Sequence, residues 1–352
     1  MHTDLNAPLA PLTTLELGGP AGRLVRLESP DDIGELARDV ADDVPIVLGT
    51  GSNILVSDEG YNGTIALMRV TGLVFHREGE RVLATVQAGH RLEDFVSEAV
   101  ASGLSGVEML TGIPGLVGAT PIQNVGAYGQ EVAESITEVH AYDWALRQYV
   151  TLRAPECNFG HRTSLFKHTS RWAILQVTFA LVPSTQSCPL HYRAVAETAG
   201  VAKGQRAPLA EAAAAVRDVR TKKGMILDPC DPDRRSVGSV FLSPVIDEAM
   251  AQRLRDEGAP VNTFPDGTTR VSASWLIKEA GFSLAEGLTP GVRMSSKHFT
   301  LVADGDASAL NFAEASAHVA GQVSRVTGVR LTAEPDLIGP LPTYQALTGR
   351  GV

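Results

Sequence analysis

The segment that most restricts the fold of this chain is the stretch from residue 103 to residue 129, which is rich in glycine and has hardly any charge. So much glycine is poorly suited to a regular helix or strand and well suited to a backbone that lies against a ligand. A long loop inside a compact domain is uncommon unless it forms a functional surface. The sequence therefore predicts a binding loop over residues 111–124, with amides for a diphosphate and apolar side chains for an aromatic ring. A buried loop without a ligand is the alternative.

A second glycine-containing turn, at residues 49–53, follows a short apolar strand at residues 46–48. It resembles the opening of a dinucleotide-binding fingerprint, but the third glycine is missing and no helix pattern follows, which disfavours a Rossmann fold. Closely spaced glycines can still bring backbone N–H groups to a diphosphate. A plain tight turn is the alternative reading of this motif.

The apolar periodicity predicts an α+β chain with short connections rather than a regular alternation of parallel units. Strands are predicted at residues 82–87, 136–142, 148–153 and 172–181, and helices at residues 208–223, 246–255, 273–280 and 306–327. A length of 352 residues favours two or three domains.

Charge and hydropathy exclude several classes of protein. The net charge of -10 argues against a general nucleic-acid binder, because such binding depends on Lys and Arg that neutralise phosphates. No apolar stretch approaches the roughly 18 residues of a membrane helix, and the first residues lack a signal-peptide pattern. We therefore expect a cytoplasmic protein with no membrane insertion and no nucleic-acid partner.

The cysteines and histidines give no metal or disulfide pattern. Cys157, Cys188 and Cys230 lie far apart and form no CxxC pair, and the histidines lack the spacing of metal ligands. We expect no metal site and no catalytic cysteine.

Six segments carry a family resemblance that spans about residues 12 to 340. They lie at residues 49–53, 113–129, 159–167, 238–241, 273–277 and 333–339. In this order they resemble the UDP-N-acetylenolpyruvoylglucosamine reductases, and the most specific of them is Pro-Ile-Gln-Asn-Val-Gly-Ala-Tyr-Gly at residues 121–129. The resemblance implies an α+β flavoenzyme with a vanillyl-alcohol-oxidase-type FAD-binding fold of two α+β subdomains and a separate α+β substrate-binding domain.

The same resemblance implies the domains and the reaction. The two FAD-binding subdomains are expected at residues 1–70 and 71–222, the substrate-binding domain at residues 223–328, and a return to the FAD-binding region at residues 329–352. FAD held noncovalently would take hydride from NADPH and reduce UDP-N-acetylglucosamine enolpyruvate to UDP-N-acetylmuramate for peptidoglycan synthesis. His90, after Gly89, leaves open a covalent flavin link of the kind found in some relatives of this fold, although the family holds its flavin noncovalently. We expect a monomer.

Transferred residue by residue, the resemblance also assigns the site. The catalytic residues would be Arg162, the proton donor Ser239 and Glu334. FAD-binding residues are expected at Gly49, Thr50, Gly51, Ser52, Asn53, Ile113, Pro114, Gly115, Gly118, Ala119, Thr120, Asn124, Gly126, Ala127 and Tyr128. Substrate-binding residues are expected at Tyr192, Arg220 and Lys223, with the adjacent Lys222 open as the alternative to Lys223. The tyrosine at position 192 is similar to the longer, tyrosine-containing form of the family.

Some positions depart from the family pattern. His161 stands where tyrosine is usual, and Leu242-Ser243 stand where Lys-Asn is usual. These departures support one alternative, a catalytically inactive flavin- or nucleotide-binding regulator. Another alternative is an oxidase of the same flavin fold that acts on an alcohol or sugar with oxygen.

Overall fold

The computed structural model describes residues 1–40, 43–264 and 266–349. Within these ranges the α-helices are α1 (Asp32–Asp39), α2 (Leu92–Ala101), α3 (Arg193–Thr198), α4 (Leu209–Lys222), α5 (Glu248–Asp256), α6 (Ala273–Glu279), α7 (Ala309–Thr327) and α8 (Pro342–Gln345). Short 3-10 helices lie at Ala10–Leu12, Glu108–Leu110, Val117–Ala119, Val132–Glu134 and Ala154–Cys157.

Nineteen strands lie in the same described ranges. They are β1 (His2–Pro8), β2 (Pro20–Leu27), β3 (Ile46–Leu48), β4 (Ile54–Val56), β5 (Tyr61–Met68), β6 (Leu73–Glu78), β7 (Arg81–Gln87), β8 (Leu104–Ser105), β9 (Gly126–Ala127), β10 (Gln130–Glu131), β11 (Ile136–Asp143), β12 (Gln148–Arg153), β13 (Trp172–Pro183), β14 (Val261–Thr263), β15 (Thr269–Val271), β16 (Gly287–Thr289), β17 (Val292–Met294), β18 (Leu301–Ala303) and β19 (Asp336–Ile338).

The described residues divide into two compact units. The first unit comprises Met1–Leu5, Arg23–Thr50 and Gly63–Ile226, and the second comprises Asn6–Gly22, Gly51–Asn62 and Leu227–Val352, each taken over its described residues. The domain boundaries expected from the sequence stay predictions.

The first unit is built on an antiparallel sheet of order β12-β11-β13-β7-β6, and β8 pairs with the end of β13. Helix α2 has apolar residues at spacings of three and four, and it buries Leu92, Phe95, Val96 and Ala99. The Phe95 ring lies 4.8 Å from the Phe179 ring of β13, so this face of α2 packs on the central strand of the sheet. A further sheet has the order β1-β2-β5-β3, in which β3 and β5 are parallel.

The second unit packs its helices around a separate apolar core. Helix α7 buries Phe312, Val319 and Val323, and it ends at Gly328 in the left-handed conformation. At the other end, the carboxylate of Asp58 accepts hydrogen bonds from Ala309 N and Leu310 N, which otherwise lack partners inside the helix. Strands β16, β17 and β18 form one small sheet, β14 pairs with β15, and β19 pairs in parallel with β4.

One close backbone contact in the first unit fixes the glycine-rich loop. Gly118 N donates to the Ala88 carbonyl at 2.9 Å, and a Cβ on Gly118 would lie 2.5 Å from the Ala88 Cβ. Real Cβ atoms do not approach so closely, so only glycine allows this contact.

We expect Gly118→Ala to lower the free energy of unfolding of the FAD-free protein by about 1–3 kcal/mol, because the added methyl overpacks a backbone contact. Gly49→Ala is the matched control, since its Cβ would meet Leu116 at an ordinary 3.5 Å. Urea unfolding of the FAD-free protein, followed by circular dichroism, measures both variants. Equal stability of the two variants would contradict the proposed contact.

Candidate functional site

The glycine-rich loop is held to the first unit by backbone hydrogen bonds. Leu92 N donates to the Gly115 carbonyl at 3.1 Å, and Val117 N donates to the His90 carbonyl at 2.9 Å. The loop therefore follows the turn between β7 and α2. Ile113, Pro114 and Gly115 are partly exposed there, so their backbone and side chains remain available to a ligand.

Asn124 fixes the second half of the loop from inside. Asn124 is 1% exposed, and its amide nitrogen donates to the Glu131 carboxylate at 2.6 Å and to the Gly160 carbonyl at 3.0 Å. Its amide oxygen accepts from Ala133 N at 3.1 Å. Because both N–H groups and the oxygen already bond within the protein, the Asn124 side chain orients the loop.

Arg162 lies beside this loop. Its guanidinium Nη2 donates to the Gly126 carbonyl at 2.8 Å, and its backbone adopts the left-handed conformation with φ 52°. The preceding Gly160 bonds to Thr163 in both directions across a tight turn, at 3.0 and 3.3 Å. The turn therefore places the guanidinium against a segment predicted to bind FAD.

His161, which departs from the family pattern, faces the Glu131 carboxylate, with Nδ1 at 3.7 Å from Oε1. The neighbouring His161 lowers the pKa of Glu131, burial raises it, and Asn124 and Arg162 lower it further, so the net pKa is below its usual value. Glu131 is thus an anion that connects Asn124 with the Arg162 turn.

Backbone in the left-handed region is concentrated around this loop. Non-glycine residues with positive φ include Asn124, Tyr128, Asn158 and Arg162. Such conformations are costly for residues with a Cβ and are often retained at functional sites. Here they include one predicted catalytic residue and two predicted cofactor-binding residues.

Two buried polar atoms next to the loop have no hydrogen-bond partner among the described residues. These are Thr50 Oγ1 and His90 Nε2. Thr50 follows Gly49, which faces Leu116, and the His90 carbonyl bonds to Val117 N. A buried polar group without a partner is unfavourable unless a ligand supplies one, so the loop fits a large polar cofactor.

The predicted cofactor-binding residues are divided between the two units. The first unit holds Gly49, Thr50, Ile113, Pro114, Gly115, Gly118, Ala119, Thr120, Asn124, Gly126, Ala127 and Tyr128, and the second holds Gly51, Ser52 and Asn53. Gly51 has φ 61°, and a Cβ there would lie 2.4 Å from the Leu12 carbonyl, so this turn also requires glycine. The Asn53 carbonyl accepts from Asp336 N at 3.0 Å.

The predicted substrate-binding residues of the first unit form a cluster around Tyr128. The Tyr128 ring meets the Tyr192 ring edge-on at 5.4 Å, and burial raises the pKa of Tyr128 although the nearby charge of Arg220 lowers it. Arg220 is 9% exposed, its Nη2 donates to the Met225 carbonyl at 2.8 Å, and its buried Nε has no hydrogen-bond partner in the part of the chain that the structure describes. The cluster therefore contains a buried cation with a free donor, suited to an anionic group.

Lys223 lies at the end of α4, one residue past Lys222, and the residue is exposed overall. Partial burial and then the charge of Arg220 lower the pKa of Lys223. A phosphate near both cations would relieve this repulsion, which supports Lys223 as the predicted substrate contact.

A buried carboxylate, Glu108, holds the segments that carry the two tyrosines. Glu108 is fully buried, and its carboxylate accepts hydrogen bonds from Ser105 Oγ at 2.9 Å, Gly106 N at 2.7 Å and Cys188 N at 2.6 Å. Burial raises the pKa of Glu108, but the hydrogen bonds from Gly106 and Cys188 outweigh it, so the net pKa is below its usual value. The carboxylate is therefore stabilised by hydrogen bonds.

Two of the residues that contact Glu108 lie close in the sequence to Tyr128 and Tyr192. Gln130 Nε2 approaches Glu108 at 3.4 Å, and Gln130 lies two residues after Tyr128. Cys188 lies four residues before Tyr192. Burial and then the Glu108 charge raise the pKa of Cys188 to about 12, so this thiol is neutral and unsuited to act as a nucleophile.

In the second unit, Ser239 and Glu334 lie on adjacent segments. Glu334 N donates to the Val240 carbonyl at 2.9 Å, and Phe241 and Ala333 form an antiparallel bridge. Ser239 is exposed and lines a cavity of about 60 Å³ whose other lining residues include Ser243, Ser272, Ser274 and Phe299. Two residues that are about 95 positions apart in the sequence are thus brought together.

Sequence reasoning missed three carboxylates that accept hydrogen bonds from the loops: Glu108 from Gly106 N, Glu131 from the Asn124 amide, and Glu93 from Gly112 N. One signal was present: Glu108 is the only charged residue between residues 103 and 129. A buried charge must be paired or hydrogen-bonded, so a single acid in an otherwise uncharged, apolar segment is a candidate for such a role. Among the described residues, no group of three or more His, Cys, Asp or Glu side chains is arranged to hold a metal ion.

Comparison with known proteins agrees with this geometry. A family model described as an FAD binding domain matches residues 21–145, which contain the whole glycine-rich loop and the residue 49–53 turn. A second model, described as the C-terminal domain of UDP-N-acetylenolpyruvoylglucosamine reductase, matches residues 228–338, which contain Ser239 and Glu334. The fold and site define an FAD-dependent oxidoreductase.

Whole-chain relatives give the family. A UDP-N-acetylenolpyruvoylglucosamine reductase of Thermobifida fusca is 43% identical over 347 residues, which cover 95% of this chain and 97% of the relative. One of Salinispora arenicola is 42% identical over 349 residues, with 96% of both chains covered. The chain belongs to the UDP-N-acetylenolpyruvoylglucosamine reductase family. A solved reductase of that name from Thermus caldophilus shares the fold, with a TM-score of 0.64, 24% identity and coverage of 96% of this chain and 98% of that one.

These matches confirm the predicted family, the α+β fold with an FAD-binding domain, and FAD as cofactor. The individual site residues and the tyrosine-containing form of the family stay predictions. None of the helices in the described ranges is both long and apolar enough to cross a membrane.

We expect Glu108→Gln to lower the free energy of unfolding at pH 7 by about 1–3 kcal/mol, because the new amide leaves buried donors unpaired. The folded-state pKa of Glu108 is below its ordinary value of 4.5. Its stabilisation is therefore present above that value and is lost as pH falls through the folded pKa.

Urea unfolding at pH 7, 5 and 4 checks this expectation. The stability difference between wild type and Glu108→Gln should narrow as the pH falls below about 4.5. Glu98→Gln, on the exposed face of α2, is the control and should show no such difference at any pH. If the difference in unfolding free energy between wild type and Glu108→Gln stays constant with pH, the Glu108 carboxylate is not the stabilising species.

Proposed function

We propose that this protein reduces UDP-N-acetylglucosamine enolpyruvate to UDP-N-acetylmuramate with hydride from NADPH, in the synthesis of peptidoglycan precursors. The observation that carries the proposal is the adjacency of Ser239 and Glu334 through the Val240 carbonyl, within the segment matched by the reductase model. Identity of 43% over 95% of the chain with a named reductase supports the same reaction.

The chemistry of the substrate sets what the protein must supply. The enolpyruvyl group is a CH₂=C unit that bears an ether oxygen and a carboxylate. A hydride adds to the terminal CH₂, and the electron pair left on the inner carbon delocalises into the carboxylate as an enediolate. A proton then adds to the inner carbon, which gives the lactyl ether. FAD, when bound, supplies the hydride.

Arg162 is proposed to hold the substrate carboxylate. A guanidinium can bond both oxygens of a carboxylate through two parallel N–H donors, and it stays charged while negative charge develops. The Gly126 carbonyl binds one Arg162 nitrogen at 2.8 Å and restricts the orientation of the side chain. Such anchoring keeps the cation in position before the substrate arrives.

Ser239 is proposed to deliver the proton to the inner carbon, and Glu334 to donate a hydrogen bond to the developing charge in its protonated form. The exposed hydroxyl of Ser239 borders a polar cavity, and the backbone bond from Glu334 N fixes the spacing between the two segments. A hydroxyl is a weak acid in water, so its use requires contact with a strongly basic carbon.

The nucleotide part of the substrate is assigned to the cluster in the first unit. Arg220 and Lys223 offer two cations to the diphosphate, and Tyr192, which is 52% exposed, can cover the substrate with its ring. FAD is proposed to bind noncovalently along the glycine-rich loop, with Thr50 and His90 as partners for its polar groups. A monomer in the cytoplasm remains our expectation.

The decisive test is turnover by the purified holoprotein. We expect oxidation of NADPH, followed at 340 nm, only when UDP-N-acetylglucosamine enolpyruvate is added, with one substrate reduced per NADPH. NADPH oxidation that needs oxygen but not the nucleotide would instead identify an oxidase. FAD binding with no turnover under any condition would identify an inactive regulator.

Ser239→Ala should separate the two halves of the reaction. We expect NADPH to bleach the flavin absorbance within about twofold of the wild-type rate, whereas the enolpyruvyl nucleotide restores it about 100-fold or more slowly, because only that step needs the proton. Stopped-flow absorbance measures both phases. Ser283→Ala, an exposed serine of the same unit, is the control. Equal slowing of both phases would exclude Ser239 as the proton donor.

A further inference from the structure

A single acid of the first unit, Glu93, contacts both the glycine-rich loop and helix α4, which carries the cations proposed to bind the substrate. Glu93 is the second residue of α2, and its Oε2 accepts a hydrogen bond from Gly112 N. Its Oε1 pairs with the guanidinium of Arg217 on α4. Its side chain is only 21% exposed.

The Gly112 bond acts on the loop at the point where cofactor contacts are predicted. Gly112 directly precedes Ile113, and its backbone has φ 76°. A Cβ on Gly112 would lie 2.3 Å from the Ile226 side chain and 3.4 Å from Arg220 Nε. The loop is therefore packed directly against the substrate-binding cluster, and the Glu93 carboxylate holds it there.

The Arg217 bond acts on the helix. Arg217 lies one turn before Arg220 and two turns before Lys223, so a fixed Arg217 fixes the end of α4 that carries both cations. Glu93 is also a negative charge close to Arg220, and it partly offsets the lowering of the Arg220 pKa by burial. Helix α4 has its own apolar packing through Ala212, Ala215 and Val216, so its folding does not depend on this contact.

We infer that Glu93 is a positioning residue. It couples the glycine-rich loop to the substrate-binding end of α4, through Gly112 on one side and Arg217 on the other. The half of this inference that concerns substrate rests on the proposed function, whereas the half that concerns FAD does not. A hydrogen bond to a carboxylate is stronger than one to a neutral group, and each partner of Glu93 is ordered by the same carboxylate.

Two variants separate the roles of the hydrogen bond and the charge. Glu93→Ala removes both, so we expect the dissociation constants of FAD and of UDP-N-acetylglucosamine enolpyruvate each to rise about tenfold. Glu93→Gln keeps an oxygen for Gly112 N but loses the charge, so FAD affinity should stay within about threefold of wild type while substrate affinity falls about tenfold.

The matched control is Asp94→Asn. Asp94 is the next residue of α2 and pairs with Arg91 at 3.7 Å, but its side chain is 53% exposed and it contacts neither the loop nor α4 in the described contacts. FAD binding to the apoprotein is measured by quenching of flavin fluorescence, and substrate binding to the oxidised holoprotein by the flavin difference spectrum. The thermal midpoint of each apoprotein is measured beside them.

The inference is supported if Glu93→Ala weakens the binding of both FAD and substrate while Glu93→Gln weakens the binding of substrate alone, because a general loss of stability would not separate the two affinities. The inference is overturned if both dissociation constants of Glu93→Ala match those of Asp94→Asn, or if Glu93→Gln weakens FAD binding as much as Glu93→Ala does. If the wild-type holoprotein does not bind the enolpyruvyl nucleotide, the proposed function fails, and the FAD measurement alone decides the role of Glu93.

Discussion

The arrangement of the candidate site in the first unit depends on one buried carboxylate. Glu108 has no cation in the hydrogen bonds described for it, and backbone and side-chain donors stabilise its charge instead. Two of its donors, Gln130 and Cys188, lie in the segments that also carry Tyr128 and Tyr192, so satisfying one charge aligns two parts of the chain. Because a buried anion without these bonds is very unfavourable, the segments have little freedom to separate.

Local patterns in the sequence predicted the long elements well. Strands at residues 136–142 and 172–181 and the helix at residues 306–327 correspond to β11, β13 and α7, because each has an apolar face long enough to show its period. Strands β4 and β19 were not recognised as a pair. Each has three residues, and each becomes a strand only through the other, which no local pattern can reveal.

The loops of the site could be predicted from the sequence, but the side-chain contacts that join them could not. Glycine density pointed to residues 111–124, and the resemblance supplied Arg162, Ser239 and Glu334. Neither indicated that His161 faces Glu131, or that Glu93 joins Gly112 to Arg217. The role of an acid depends on which donors surround it, and these donors come from distant parts of the sequence.

The second unit has a consequence for synthesis on the ribosome. Ser57 Oγ donates to the Pro340 carbonyl at 2.7 Å, and the two residues are 283 positions apart in the sequence. Strand β4 pairs with β19 over a similar sequence separation. Closing such a chain costs about 5 kcal/mol of entropy by the logarithmic law, before any contact offsets it. The segment around β4 must therefore stay unpaired until residues 336–340 have been translated, and apolar residues such as Leu55 are open to chaperones during that interval.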